Sequence, residues 1–329
     1  MIKHGHSTAL DLVIIIVSWN VRELLRRCLV AVERSLAGSG RHYAVIVVDN
    51  ASHDGSARML RDEFPQVALI ECGSNLGFAG GNNVALRQVL AGKPAAPYCL
   101  LLNPDTEPQG DALAQLLATM EARPDLVVCG PQLRYPDGSV QSSRRRMPTR
   151  ASFFWESTPL EQLWPHNPWV RAYRCEERPD DAMQEVGWLV GAALLVRTAA
   201  IQKAGLLDER FFMYSEELEW QHRLGRVGAV VYAPVARIVH YEGKSSEQAV
   251  AARYINFQRS KLLLARMMYG WYFAALLRAF LLVIYRYEIV IESGKLLLGH
   301  RRALRQQRIG VYQIVLRQLH ADALFYTWR

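Results

Sequence analysis

The first strong pattern in the chain is a run of apolar, mostly β-branched residues, Leu12–Val17, with no polar position inside it. Continuous rather than alternating hydrophobicity suits a strand buried on both faces. Ser18, Trp19 and Asn20 end the run, and from Val21 to Leu36 apolar residues recur at helical spacing with Arg and Glu between them. A second strand, Ala44–Val48, closes on Asp49 and Asn50. Ser52 and Asp54 read as turn and cap residues before a helix at Ser56–Glu63, which stops short of Pro65. The third strand is Val67–Glu71. A glycine-rich loop, Gly73–Asn83, then leads to a helix near Val84–Leu90, and the fourth strand, Tyr98–Leu102, runs into Asn103, Pro104 and Asp105. Strands alternating with helices predict a mostly parallel α/β sheet.

Ser18, Asn20, Asp49, Asn75 and Asp105 all fall at or just past the C-terminal ends of predicted strands. In open α/β sheets that edge forms the ligand crevice. A dinucleotide fold does not fit, because no G-x-G-x-x-G follows the first strand and Trp19 stands where a pyrophosphate would need close backbone approach. No Walker A sequence occurs. Asp105 is a hard-oxygen donor in a suitable loop. One carboxylate holds a divalent cation weakly, so a site completed by substrate phosphates is expected.

The second half is less regular. Arg144, Arg145 and Arg146 fit a solvated basic loop or a pyrophosphate clamp. Phe153–Tyr173 is aromatic and proline-rich without a clear period and reads as a loop near an acceptor. Trp188 fits a core residue or a pocket wall. Glu216, Glu217 and Glu219 start a predicted helix, where acids compensate the helix dipole or, by crowding, tune a base. His240 ends an apolar run and fits a core histidine or a metal ligand.

Charge separates the two ends of the chain. From residue 250 onward there are 13 Lys and Arg against 3 Asp and Glu, a surplus of 10; the first 249 residues carry 26 against 28. The basic end is also very apolar from Leu262 to Ile291, interrupted by Arg266, Arg278, Arg286 and Glu288. An apolar, basic tail points to an anionic membrane surface and away from nucleic acid, for which no motif is present. Met267–Tyr285 would place Arg278 near mid-membrane, which is costly. The tail is therefore expected as amphipathic helices on the inner leaflet, with Arg301, Arg302, Arg305 and Arg308 on lipid; a span, and packing on the catalytic domain or on a second subunit to give a homo-oligomer, are the alternatives. The first apolar run is too short for a signal peptide or a span, and five scattered cysteines without a C-x-x-C pair support neither a disulfide framework nor a zinc site. These features predict a protein of the reducing cytoplasm.

The segments Val47–Ser56, Asn75–Asn83, Leu101–Thr106, Gly187–Ala192, Asp208–Trp220 and Ala236–His240 resemble, in order, the motifs of the family-2 glycosyltransferases, most closely the rhamnosyltransferase-like branch that builds bacterial surface polysaccharides. The resemblance, which covers roughly residues 11–245, implies a GT-A fold; together with the tail's composition this gives a catalytic domain at 1–249, with a nucleotide half at about 11–123 and an acceptor half at about 124–249, and a membrane-interfacial tail at 250–329. It also implies inversion at the anomeric carbon, a nucleotide-sugar donor with dTDP-rhamnose the expected one, a lipid-linked or polysaccharide acceptor, and a peripheral place on the cytoplasmic face of the inner membrane. By the same resemblance, Ser18, Asn20, Asp49, Asn75, Asn83, Asn103 and Trp188 belong to the donor site. Asp105 and His240 hold Mg²⁺ or Mn²⁺. Asn103 stands where the metal motif has its first Asp. Glu217 occupies the position of the base, usually Asp, with Glu216 beside it. A nucleotidyltransferase on a similar scaffold and a non-catalytic membrane scaffold are the rival readings.

Overall fold

The structure, a computed structural model, describes residues 9–242 and 250–321. The chain divides into two compact units: Met1–Met147, Arg174–Phe212 and Glu216–Ser245 form the first, and Pro148–Tyr173, Met213–Ser215 and Ser246–Arg329 the second.

The first unit opens with β1 (Leu12–Ser18), α1 (Arg22–Leu36), β2 (Tyr43–Asp49), α2 (Ser56–Glu63), β3 (Ala68–Glu71), α3 (Gly77–Leu90) and β4 (Tyr98–Leu102). Then follow β5 (Thr106–Pro108), α4 (Ala112–Ala122), β6 (Leu126–Arg134) and β7 (Arg144–Arg145). Beyond the segment given to the second unit come β8 (Gln184–Glu185), β9 (Trp188–Leu189), β10 (Ala193–Arg197), α8 (Thr198–Ala204), α9 (Glu216–Leu224) and β11 (Ala229–His240). One sheet runs β3-β2-β1-β4-β10-β6-β11-β5, with β8 on β11. β1, β2, β3 and β4 are mutually parallel, and β10 enters antiparallel between β4 and β6. β1 explains its own sequence: Leu12, Ile14 and Ile16 pack with α1 and α4, while Val13 and Ile15 pack with residues of α3. Each such fully buried aliphatic side chain contributes about 1.5–3 kcal/mol.

The glycine-rich segment is helix, not loop, from Gly77 onward. Its glycines are there for close approach. A Cβ on Gly81 would lie 2.7 Å from Val17 Cγ1, and one on Gly77 would lie 2.1 Å from the Phe212 carbonyl oxygen. That oxygen accepts the Phe78 N–H at 2.9 Å, and Gly77 has φ +70°. Gly77→Ala is therefore expected to destabilise the first unit by about 3 kcal/mol or more. A lowered urea midpoint checks this; an unchanged midpoint would contradict the packing.

The second unit contains α5 (Arg150–Trp155), α6 (Pro159–Leu163), α7 (Pro168–Tyr173), α10 (Val250–Leu297) and α11 (Arg302–Ala321). The expected loop at 153–173 is thus three short helices, which belong, with 213–215, to the second unit, whose last stretch begins at Ser246. Aromatic contacts explain the change: Phe153 and Phe154 set their rings edge-on to Phe273 of α10. α10 breaks at Gly270, whose φ and ψ are 85° and 172°. Past the break α10 carries apolar side chains on both its buried and its exposed sides, with Ala274, Leu277 and Leu281 buried. Tyr272, Leu276, Val283, Tyr287 and Val290 face outward, while Glu292 is 1% exposed. Arg305 of α11, expected on lipid, instead points inward and pairs with Glu292 at 2.6 Å, because a buried carboxylate needs a cation. Arg278 donates from Nε to the Leu319 carbonyl at 2.7 Å, near the end of α11. Residues 322–329 of the expected tail lie outside the described residues.

Candidate active site

The C-terminal ends of β1 and β2 meet in register at Ser18 and Asp49. Both are buried, and neither Ser18 Oγ nor Asp49 Oδ1 has a hydrogen-bond partner among the described residues. Asp49 is oriented by its other oxygen, which accepts the Ser52 N–H at 3.1 Å. Beside it Asn50 donates to the Gly77 carbonyl at 3.0 Å and leaves its Oδ1 unmatched. A buried polar atom without a partner costs about 1–3 kcal/mol, so three at one sheet edge mark a place where a polar ligand is stabilising.

The other polar residues of this edge serve the loops. Asn20, at φ +53°, donates its N–H to Ser52 Oγ at 2.9 Å and accepts the His53 N–H at 2.7 Å. Asn75 Oδ1 accepts the Gly77 N–H at 2.9 Å and so starts α3. Asn83, expected in the donor site, is not brought to the crevice. It lies inside α3, donates to the Leu207 carbonyl and to Glu209 Oε1, both at 2.8 Å, and accepts the Leu207 N–H at 3.1 Å. Its hydrogen bond, opposed by burial and reinforced by Arg87, holds the Glu209 carboxyl below the usual range.

Asn103 and Asp105 follow β4. The Asn103 N–H donates to the Ala192 carbonyl at 2.9 Å, and its carbonyl accepts Thr106 Oγ1–H at 2.7 Å. Behind this loop, burial pushes the Cys28 thiol up to about 12, so it stays neutral. β11 pairs antiparallel with β5, setting His240 against Thr106, and the Tyr241 N–H reaches the Asp105 carbonyl at 2.9 Å. This pairing brings together two residues 135 apart: Asp105 Oδ1 and His240 Nε2 are 3.5 Å apart, with both side chains buried. His240 Nδ1 lies 2.9 Å from Gln141 Oε1. Among the described residues no cluster of three or more His, Cys, Asp or Glu could hold a metal. The pair nevertheless fits Mg²⁺ or Mn²⁺: a carboxylate oxygen and an imidazole nitrogen face one another, and a cation bound by both leaves positions for phosphate oxygens.

α9 begins after two residues in the left-handed region, Tyr214 (φ +72°) and Ser215 (φ +67°), conformations costly for such side chains and common where function holds the backbone. Its three acids have different surroundings. Glu219 forms a two-bond pair with Arg223, at 2.7 Å each, and Arg223 also donates to the carbonyls of Ala204 and Leu206. Glu216 is buried. Glu217 is half-buried, its Cβ and Cγ each 3.3 Å from where a Cβ on Gly191 would stand. Gly191 precedes Ala192, the partner of Asn103, so the Glu217 stem and the Asp105 loop adjoin the same two-residue backbone. Trp188 is buried in β9. Gln221 grips the next residue, accepting the Leu189 N–H at 2.9 Å and donating to its carbonyl at 2.8 Å. The sequence of the whole 13–178 region matches the profile of the family Glycosyl transferase family 2.

The chain belongs to glycosyl transferase family 2. It is a glycosyltransferase with a GT-A fold. Over 244 residues it is 34% identical to the N-acetylglucosaminyl-diphospho-decaprenol L-rhamnosyltransferase of Mycobacterium tuberculosis, covering 72% of this chain and 79% of that one. It is 24% identical over 237 residues to the rhamnosyltransferase WbbL of Escherichia coli, covering 69% and 82%. Two solved structures share the fold. GalNAc-T7 with UDP, GalNAc and Mn²⁺ has a TM-score of 0.55 and 14% identity, matching 97% of this chain and 58% of its own length. The mannosyltransferase PcManGT from Pyrobaculum calidifontis, with GDP-Man and Mn²⁺, has a TM-score of 0.54 and 12% identity, covering 98% and 89%.

In this family-2 glycosyltransferase the first arginine of the run is not solvated, whereas Arg146 is exposed. Arg144 is buried, donating to the carbonyls of Pro179 at 2.9 Å and Arg178 at 2.6 Å and pairing with Asp180 at 2.6 Å, while Arg146 pairs with Glu177. Sequence reasoning missed Asn50 and Gln141 as site residues, whereas Gly191 lay in a segment it had placed at the sugar pocket. Asn50 follows Asp49 at a strand end and so carried a positional signal; Gln141 sits in a segment without a period.

Proposed function

We propose that this glycosyltransferase inverts and transfers rhamnose from dTDP-rhamnose to a lipid-linked glycan in cell-envelope synthesis, at the cytoplasmic face of the inner membrane. The observation that carries the reading is the facing pair of Asp105 and His240, on the same sheet edge as the unmatched Ser18 and Asp49 oxygens. The names of the mycobacterial and E. coli relatives support the sugar, and the first also supports a polyprenyl-diphosphate acceptor.

In this reading Asp49 Oδ1 accepts a hydrogen bond from the donor nucleoside, whose binding ends the cost of that buried oxygen. Ser18 Oγ takes a second polar contact there. Asp105 and His240 would hold Mg²⁺ or Mn²⁺, which supplies positive charge to the leaving diphosphate. Glu217 removes the proton from the acceptor hydroxyl as that oxygen attacks the anomeric carbon and the bond to the leaving diphosphate breaks. Incubation with a panel of nucleotide sugars and Mn²⁺ or Mg²⁺ tests the assignment. Release of dTDP from dTDP-rhamnose is expected; release of pyrophosphate from a nucleoside triphosphate would favour nucleotidyl transfer instead.

The outward apolar stripe of α10 supports membrane attachment, since Ala251–Leu297 is long and apolar enough to interact with a bilayer and its basic neighbours Arg301 and Arg302 are exposed. The double variant Leu276→Glu with Val283→Glu is expected to lower sedimentation with anionic phosphatidylglycerol vesicles at least tenfold. Binding that persists in the variant but vanishes in salt would refute a role for the stripe.

A further inference from the structure

We propose that Gln141 is a positioning residue that fixes the tautomer of His240 so that the Nε2 lone pair faces Asp105; this rests on the metal-binding role proposed for that pair. Three contacts in series carry the inference. Gln141 Nε2 donates to Glu242 Oε2 at 2.8 Å, and Gln141 Oε1 lies 2.9 Å from His240 Nδ1. His240 Nε2 in turn lies 3.5 Å from Asp105 Oδ1.

The direction of the chain follows from donor and acceptor chemistry. The NH₂ end of the Gln141 amide is the donor to Glu242 Oε2, where the carboxyl oxygen accepts. That places the amide oxygen toward His240, and an amide oxygen only accepts. Nδ1 must then carry the hydrogen, and in the neutral ring Nε2 keeps its lone pair. Nε2 and Asp105 Oδ1 are consequently two electron-pair donors facing one another, an arrangement that repels unless a cation joins them. Gln141 and His240 are both buried, so water does not readily replace this contact. Tyr135 belongs to the same group: burial first, and the Glu242 carboxylate next, push its phenol up, so it remains a neutral neighbour of Glu242. An outer partner that orients a metal-binding histidine in this way changes metal affinity by about 10–100-fold when removed.

The experiment uses the full-length protein with dTDP and Mn²⁺ as probes. Long-range ¹H–¹⁵N spectra of the metal-free protein at pH 8 read the His240 tautomer directly, with His240→Ala assigning the signal. Free Mn²⁺, measured by EPR during titration in saturating dTDP, reads affinity. In the wild type the ring hydrogen is expected on Nδ1, the nitrogen that faces the Gln141 oxygen. Gln141→Met, which keeps length and removes the acceptor, is expected to shift the ring toward Nε2–H and to weaken Mn²⁺ binding about 10–100-fold, with metal-free dTDP affinity unchanged. Gln141→Glu keeps an acceptor at Nδ1, and the exposed Glu242 can turn away, so this variant is expected to retain both the tautomer and the affinity. An Nε2–H tautomer, or an imidazolium paired with Asp105, in the wild type would overturn the inference. Unchanged Mn²⁺ affinity in Gln141→Met would overturn the role of Gln141 alone. Absence of Mn²⁺ binding by the wild type would refute the metal reading itself, whatever the tautomer.

Discussion

Asp105→Ala is expected to lower sugar transfer by about three orders of magnitude, equivalent to about 4 kcal/mol of transition-state stabilisation. The charge developing on a leaving diphosphate must be balanced, and the pair that can hold a cation loses its only carboxylate in this variant. The fold should be untouched. What holds the loop is backbone: the Tyr241 N–H on the Asp105 carbonyl and the β11–β5 pairing both survive the substitution. The melting temperature is therefore expected to stay within a few degrees of the wild type while turnover collapses. Chelation of metal from the wild type should reproduce the loss. Full activity of Asp105→Ala, together with indifference of the wild type to EDTA, would remove the metal from the mechanism.

Glu217→Gln should lower kcat by about 10²–10⁴-fold, the range that a positioned general base supplies, with donor affinity held within about twofold. Glutamine keeps the methylene stem that lies against Gly191 and so isolates the proton-accepting role from packing. Glu219 cannot substitute, because both of its oxygens are committed to Arg223. Unchanged turnover in Glu217→Gln, with a loss in Glu216→Gln, would move the base by one residue. The proposed base, Glu217, is a glutamate at a position where the family resemblance leads one to expect aspartate. The observed stem contact with Gly191, a residue with no side chain of its own, leaves room for the extra methylene.

Much of this was readable from sequence. β1, β2 and β4 are short apolar runs, α2 has cap residues before it and Pro65 behind it, and the structure places these elements within a residue or two of expectation. Local chemistry sufficed there. It failed where the reason for a residue lies far along the chain. Gly77 and Gly81 have the composition of a loop, yet they admit the Phe212 carbonyl and Val17 to a helix surface. Asn83 looks like a ligand residue, but its partners are Leu207 and Glu209. The approach of Asp105 to His240 depends on a strand pairing that joins residues 106 and 240, which no local pattern reveals. Arg305 has the look of a lipid-facing charge until Glu292 is seen beneath it.

The route of the chain has a consequence for how such enzymes diversify. The helical unit is not an appendix: it is assembled from two internal stretches, 148–173 and 213–215, as well as from the C-terminus. Phe153 and Phe154 find their ring partners on α10, nearly 120 residues later. Exchanging this helical unit would therefore take three coordinated replacements, one of them in the three residues just before the helix that carries Glu217. Recombination at a single junction would leave aromatic surface bare, so the two parts are bound to evolve together.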